Sequence, residues 1–444
     1  MAPRLGGRAT IAVLGLALAL LGAVVVARFP IWAPVDERAH YEFVQSLAED
    51  GRLPEIDDVG SPEAQAIADR SWPRPSPVDP ATQGLAGRSY EAFQPPLYYV
   101  LATPAYALIG DHRDKVFAVR VLDLLLYAIG AAMLALLARR LAPAGRRAPV
   151  LAAGLLVLAW PGLIVRGITI SNTALEFALA PAFLLAAWRA HEERSARWLL
   201  AAGALFGACL LTKLTLVVLG PCLLLAACTV AGFDLGRRRP AVAAPPVRNR
   251  RAALAALALP VAALAPWLIV NHARIGTWTA NAAARDQQTP FLYPRGVPDW
   301  GLGDLPARAA TLLHGTVPQE WDRQLDVWWV GIAARALVVV FVLAAVLAAA
   351  SGDSAARRRI GFFALPVVTG LAFIAYTLLA ENWDIFLLRY VGALLAPLAL
   401  VVAAAVPAGR VRAVGIPMAV VTAALWVDLA GAFLFTDVGG KLGI

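Results

Sequence analysis

The chain has 444 residues, 60% of them hydrophobic and 16% charged, with a mean hydropathy of +0.67. So little polar surface cannot cover a water-soluble globule of this size, and a lipid solvent is the consistent answer. The net charge of +9 sits in short arginine tracts between apolar runs, not on one basic face. That pattern argues against a nucleic-acid partner and suits loops facing an anionic leaflet.

A helix that spans a bilayer needs about 20 mainly apolar residues with few charges. By that rule the chain holds eleven spans, at about 10–28, 116–138, 149–165, 172–189, 198–212, 214–232, 252–272, 327–350, 360–380, 386–406 and 412–435. One long bent helix over 198–232 fits almost as well as the pair. The fold class expected is an all-α polytopic membrane protein, one transmembrane domain over 1–444. The first apolar run follows Arg4 and Arg8 but is long for a signal peptide, so it reads as a retained anchor. Cys209, Cys222 and Cys228 fall inside apolar runs without metal or redox spacing, and no disulfide is expected.

Arginines in short loops set orientation. With the N-terminus inside, Arg139, Arg140, Arg146 and Arg147 share one cytoplasmic loop, Arg237, Arg238, Arg239, Arg248, Arg250 and Arg251 another, and Arg357, Arg358 and Arg359 a third. Two long segments, 29–115 and 273–326, then project on the extracytoplasmic face. The first carries fourteen of the thirty Asp and Glu residues, and a loop this long in a compact protein is usually functional. Its proline-rich part, 60–88, reads as irregular chain. The stretch 95–110 reads as an interfacial segment, with Tyr98, Tyr99 and Tyr106 at headgroup level.

The first span leads straight to Asp36-Glu37-Arg38-Ala39-His40-Tyr41, a carboxylate pair at the membrane surface. Pro34 ends the incoming chain, Asp36 is placed to cap a helix over 37–50, and Gly51 closes it. A sugar transferase that inverts its donor needs a carboxylate to take the acceptor proton and cations to receive the departing phosphate. Cations stand at outer helix ends: Lys213, one of three lysines in the chain, then Arg389 beside Tyr390, and Arg166. Charges at membrane depth are functional candidates by default, with snorkelling or a structural ion pair as the plainer reading. Asn172 reads as a helix cap or as a polar group of the same cavity. Glu91 and His272 are weak candidates to share a divalent metal; no other cofactor is implied.

Together these residues resemble a known family. Asp36-Glu37, His40-Tyr41, Gln94-Pro95-Pro96-Leu97-Tyr98-Tyr99, Gly203 and Gly207 leading into Thr212-Lys213, and Arg389-Tyr390 look like the GT-C superfamily of polyprenyl-phosphate-dependent glycosyltransferases. The likeness is nearest to bacterial relatives of the protein O-mannosyltransferases and the lipid A aminoarabinose transferases. It implies many transmembrane helices with interfacial helices outside, and inverting transfer from a polyprenyl-phosphate sugar. By position it makes Asp36 the general base and Glu37 its neighbour, has the segment from Gln94 shape the substrate cavity, and turns Lys213 and Arg389 to the carrier phosphate; His40, Tyr41, Glu91, Arg166, Asn172 and Tyr390 are the further candidates for binding substrate. The chain departs from part of the family: Asn172 stands where some relatives carry a second acid, Gln94 where some carry a basic residue, and Phe93 where others have a histidine. The partners expected are the lipid-linked donor, the bilayer and an acceptor of unnamed chemistry. A transporter or flippase of a lipid-linked substrate is the alternative, and a non-enzymatic scaffold would leave the acidic loop unexplained.

Overall fold

The computed structural model describes residues 7–29, 31–32, 36–55, 58, 60–64, 66, 91–142, 144–233, 249–279, 354–380, 387–405, 419–420, 422–423 and 426. Regular structure among them is helical throughout. Five helical segments there are long and apolar enough to cross a membrane, and a bent pair makes a sixth if it counts as one span. The protein is therefore a multi-pass helical membrane protein. The expected spans 327–350 and most of 412–435 lie outside the described residues, as do most of 60–88 and the loop 273–326 beyond residue 279.

Helix α1 (Gly7–Arg28) shows how lipid is faced. Val13, Leu16, Leu20 and Val24 recur at three- and four-residue spacing and stay 54–61% exposed, while Val25 and Val26 enter the core. Short α2 (Glu37–Gln45) continues through a π turn, Ser46–Asp50, to Gly51 at φ 65°, as the 37–50 reading required. Helix α3 (Leu97–Ala107) follows Pro95-Pro96, and α4 (His112–Leu141) starts where Asp111 accepts from Arg113 N at 2.9 Å.

The span expected over 149–165 is not straight. It comprises α5 (Arg147–Leu158) and α6 (Pro161–Ile168), bent by 72°. Trp160 is extended before Pro161, whose ring cannot sit in a helix interior without removing a hydrogen bond. Helix α7 (Thr173–Glu193) follows, then α8 (Ala196–Thr212). The segment 198–232 is two elements: Lys213 is extended at φ −160°, and a 3-10 stretch, Leu214–Leu219, leads into α9 (Gly220–Ala231). Helices α10 (Arg250–Ile275), α11 (Ser354–Ala380) and α12 (Leu387–Ala405) complete the described bundle. The three cysteines are free.

Glycine lets two helix pairs close up. A methyl at Gly203 would collide with the Ala256 carbonyl of α10, and one at Gly130 with the Phe177 carbonyl of α7. Gly203 and Gly207 thus serve α8–α10 packing.

Two cores result. The larger fills the bundle. The smaller lies beneath α2 and α3 and includes Trp32, Tyr41, Phe43, Tyr98, Tyr99, Tyr106 and Ile170. The three tyrosines expected at headgroup level are 0–1% exposed, packed between α2 and the bundle and not open to the surface. Their rings explain the difference: Phe43 stacks on Tyr99 at 3.7 Å, and Tyr41 tilts against Tyr106 at 5.4 Å. Each such pair adds about 0.5–1.5 kcal/mol beyond burial. The smaller core holds α2 rigidly over the ends of α4 and α7.

The arginine-rich ends meet on the opposite side. Arg140 at the end of α4 pairs with Glu192 and Glu193 at the end of α7, both at 2.8 Å. Arg146 donates to the Ala403 carbonyl at the end of α12, and Arg359 to that of Leu141. Thirty-residue α4 separates these arginines from the α2 end by about 45 Å, at the usual helical rise.

Candidate functional site

Asp36 sits at the N-cap position of α2 but makes no side-chain capping bond, so the capping role expected of it is not the one found. Its backbone is left-handed, φ 73°, and Trp32 four residues earlier is also left-handed at φ 65°. Such conformations cost non-glycine residues of order 1–3 kcal/mol and persist only where neighbours over-determine them.

Glu37 supplies that constraint. Its side chain is fully buried, and four donors converge on it. Arg120 Nε and the Ile170 amide reach Oε1 at 2.7 and 3.1 Å; Arg120 Nη2 and the Trp32 amide reach Oε2 at 2.7 and 3.0 Å. Arg120 also donates to the Phe29 carbonyl at 2.7 Å. One carboxylate therefore ties the turn before α2, the third turn of α4 and the turn before α7, and through Arg120 the end of α1. Asp123, one turn along α4 from Arg120, accepts from Tyr98 Oη at 3.0 Å.

On the other side of Asp36, the ligand atoms of Asp36, His40 and Glu91 all lie within 4.8 Å of one another. His40 is one helical turn from Asp36, and its amide donates to the Asp36 carbonyl at 2.9 Å. His40 Nδ1 shares a 2.7 Å hydrogen bond with Tyr99 Oη. Burial first, then the negative charges of Glu91 and Asp36, pushes the Tyr99 phenol well above its ordinary value, so it stays protonated. Gln94 Nε2 donates to Glu91 Oε2 at 2.6 Å, and Asn172 Nδ2 donates to Gln94 Oε1 at 3.0 Å. Asn172 makes no capping bond; of the two readings offered for it, the structure has the polar link.

Thr173 and Glu176 follow Asn172 on α7 and hold Lys213, whose Nζ lies 2.9 Å from Glu176 Oε2 and 3.3 Å from Thr173 Oγ1. Arg166 acts on Glu176 through its charge. The extended backbone at Lys213, between α8 and the 3-10 stretch, turns this side chain toward α7.

Five residues expected at the site from sequence, Asp36, His40, Glu91, Gln94 and Asn172, thus form one connected group, with Lys213 and Arg166 beside it. Other expected residues stand elsewhere. Tyr41 Oη meets His112 Nδ1 at 3.1 Å, within a separate network in which Tyr106 and Lys115 donate to Glu49 Oε1 at 2.6 and 3.0 Å. His272 is exposed and stacked on Trp278 at 4.3 Å, so Glu91 finds its histidine in His40 instead. Arg389 and Tyr390 fall in the first turns of α12, and their side chains lie outside the described residues. Sequence reasoning gave Tyr99 no part in the site and passed over Arg120, Asp123 and Glu176. Charges inside apolar spans were the available signal for the last three.

Residues 93–270 match the family model described as dolichyl-phosphate-mannose-protein mannosyltransferase. No curated protein matches. Among solved structures, the crystal structure of ArnT from Cupriavidus metallidurans bound to undecaprenyl phosphate is similar over 95% of this chain and 78% of that chain, at 16% identity and a TM-score of 0.40.

Proposed function

We propose that this chain is a glycosyltransferase of the GT-C type, a reading the family match over residues 93–270 supports, and that it moves a sugar from a polyprenyl-phosphate donor to an acceptor hydroxyl, with Asp36 as general base. The observation that carries the reading is the joining of Asp36, His40, Glu91, Gln94 and Asn172 at the end of the bundle away from the arginines. The arginine end suits the cytoplasm, so the acidic group belongs to the extracytoplasmic face, with the N-terminus inside.

The acceptor oxygen attacks the anomeric carbon while the bond from that carbon to the phosphate oxygen breaks. The bonding pair leaves with the carrier phosphate, and the acceptor proton passes to Asp36. Glu37 is a positioning residue: its oxygens are filled by four donors, and it holds Asp36 in its left-handed backbone. Gln94, bridging Asn172 and Glu91, fixes the Glu91 carboxylate beside Asp36. Lys213 and Arg166 receive the departing phosphate charge. For Lys213 this means exchanging or sharing its contact with Glu176, which keeps its charge satisfied before the donor arrives.

The test is reconstitution into vesicles with a labelled polyprenyl-phosphate sugar and an extract of cell-envelope acceptors. Release of free polyprenyl phosphate together with labelled acceptor is the expected result. Movement of intact donor across the bilayer, without transfer, would overturn the enzyme in favour of a flippase.

A further inference from the structure

We propose that Tyr127 and Trp426 are positioning residues of the site: they fix the angle between α5 and α6, the two halves of the broken span, and through α6 they set where the Ile170 amide and Asn172 stand. The inference rests on the transferase reading for what the site does, and not for the clamp itself. A straight helix would pair the carbonyls of Leu156, Val157, Leu158 and Ala159 with the amides of residues 160–163. Pro161 has no N–H to give, and the 72° bend redirects its neighbours: the Trp160 amide goes to the Val157 carbonyl and the Leu163 amide to that of Trp160, both at 3.0 Å. Three carbonyls are then left at the elbow, inside a lipid-surrounded bundle where an unpaired one is costly. Side chains from elsewhere in the fold close all three. Tyr127 Oη of α4 donates to the Leu158 carbonyl at 2.6 Å, Trp426 Nε1 to that of Ala159 at 2.7 Å, and Thr422 Oγ1 to that of Leu156 at 3.4 Å.

Tyr127 does more than fill a carbonyl, because it touches both halves of the span. Its hydroxyl is bound to the last residue of α5, while its ring lies against Gly167 of α6, where an added methyl would run into the ring edge. Phe177 of α7 meets the same ring at 4.8 Å and backs it. The Tyr127 side chain is 1% exposed, so it has no free space to swing into. Trp426 binds the next carbonyl from a segment 267 positions further along the chain. A wedge between the halves and a cap on the joint leave the elbow one angle.

That angle places the turn after α6. There the Ile170 amide donates to Glu37 Oε1 at 3.1 Å, and Asn172 Nδ2 to Gln94 Oε1 at 3.0 Å. The 8 residues of α6 span about 12 Å, so a tilt of about 10° moves its far end by about 2 Å. Neither hydrogen bond survives that displacement. Glu37 then loses one of its donors and Gln94 loses the group that orients it toward Glu91, so both supports of Asp36 slacken together. A misplacement of about 1 Å at a reacting group is enough to cost about 100-fold in rate.

The test uses the full-length protein in lipid nanodiscs. Tyr127→Phe deletes one hydroxyl, and Trp426→Phe keeps an aromatic ring but deletes the N–H. In each, amide hydrogen exchange across 161–172, read by mass spectrometry, should rise about tenfold while that of α8 and α10 stays native. Transfer should fall about 10–100-fold on the same samples. Placing 4-aminophenylalanine at position 127 returns a donor to the same ring position and should restore both readings, which a lost packing contact alone does not explain. Trp188→Phe is the control for ring size: Trp188 is 4% exposed and its Nε1 has no hydrogen-bond partner, so its loss should leave exchange across 161–172 and transfer native. Should Trp426→Phe fail to fold, Tyr127→Phe, a change of one atom, carries the test. Native exchange and turnover in Tyr127→Phe, or no rescue by the amino group, would overturn the proposal. A native chain that transfers no sugar removes the transferase reading, and the exchange pattern then decides the clamp by itself.

Discussion

Replacing Glu37 by glutamine should unlock the turn that presents Asp36. The native carboxylate accepts four hydrogen bonds, two on each oxygen. A glutamine side chain has one oxygen and one NH2 group, so whichever way it sits it can accept from one pair of donors and must confront the other pair with its own hydrogens. If its oxygen replaces Oε1, the amide of Trp32 and Nη2 of Arg120 lose their acceptor. The guanidinium, on a side chain with no exposure, also loses its counter-charge. Breaking one partner of a buried pair typically costs about 3–5 kcal/mol. Equilibrium unfolding in mixed detergent micelles reads that loss. The pair Glu37→Leu with Arg120→Met removes the stranded charge but leaves the Trp32 and Ile170 amides without their acceptor, so the double variant should recover only the part of the loss due to the unpaired guanidinium, while still losing activity because the turn before α2 is no longer tied to α4. A cost for Glu37→Gln below about 1 kcal/mol would refute the reasoning, since no buried carboxylate clamp is that dispensable.

Glu49 offers a pH dependence. Burial works to raise its carboxyl, but hydrogen bonds from Tyr106, Gln45 and Lys115 outweigh it and bring the value down from 4.5 to about 2. A lowered carboxyl stabilises the fold above the unfolded value and loses that contribution as pH falls from about 4.5 toward about 2. The stability gap between native chain and Glu49→Gln should therefore be widest above about pH 5 and close in acid. It should stay near 1 kcal/mol or less, because the Glu49 side chain is 40% exposed and solvent screens it. Gly203→Val should prevent folding more severely than Gly207→Ala, since the first meets fixed backbone at Ala256 and the second chiefly a methyl of Ala263 at 3.0 Å; the yield of monodisperse protein checks the order. Lys213→Met should lower both stability and transfer by stranding Glu176. Adding Glu176→Met should recover stability but not transfer, which thermal unfolding and turnover on the same samples would separate.

The membrane class, most helix positions and the connected group around Asp36 were legible because they rest on local signals. Those are runs of apolar residues, a proline or glycine at an element end, and acids placed just after a span. The packing of the α3 tyrosines was not legible, because an aromatic open to an interface and one in a core look alike until the covering element is known, and here α2 covers them. The break at Trp160-Pro161 was missed because a span of apolar composition hides a 72° bend that only the proline betrays. Glu37 reads like Asp36 in the sequence, yet one meets a buried arginine 83 positions away and the other does not cap its own helix. The partnership of Lys213 with Glu176, across 37 positions, is likewise a fact of helix packing.

Turnover of Asp36→Asn bears most directly on the proposed base. Asparagine tolerates the left-handed backbone at this position as well as aspartate does, so the exchange removes the proton acceptor and spares the turn. Transfer from a polyprenyl-phosphate sugar by correctly inserted protein should fall by about 10²–10⁴-fold, with donor binding kept. Turnover within a few-fold of the native rate would contradict the account.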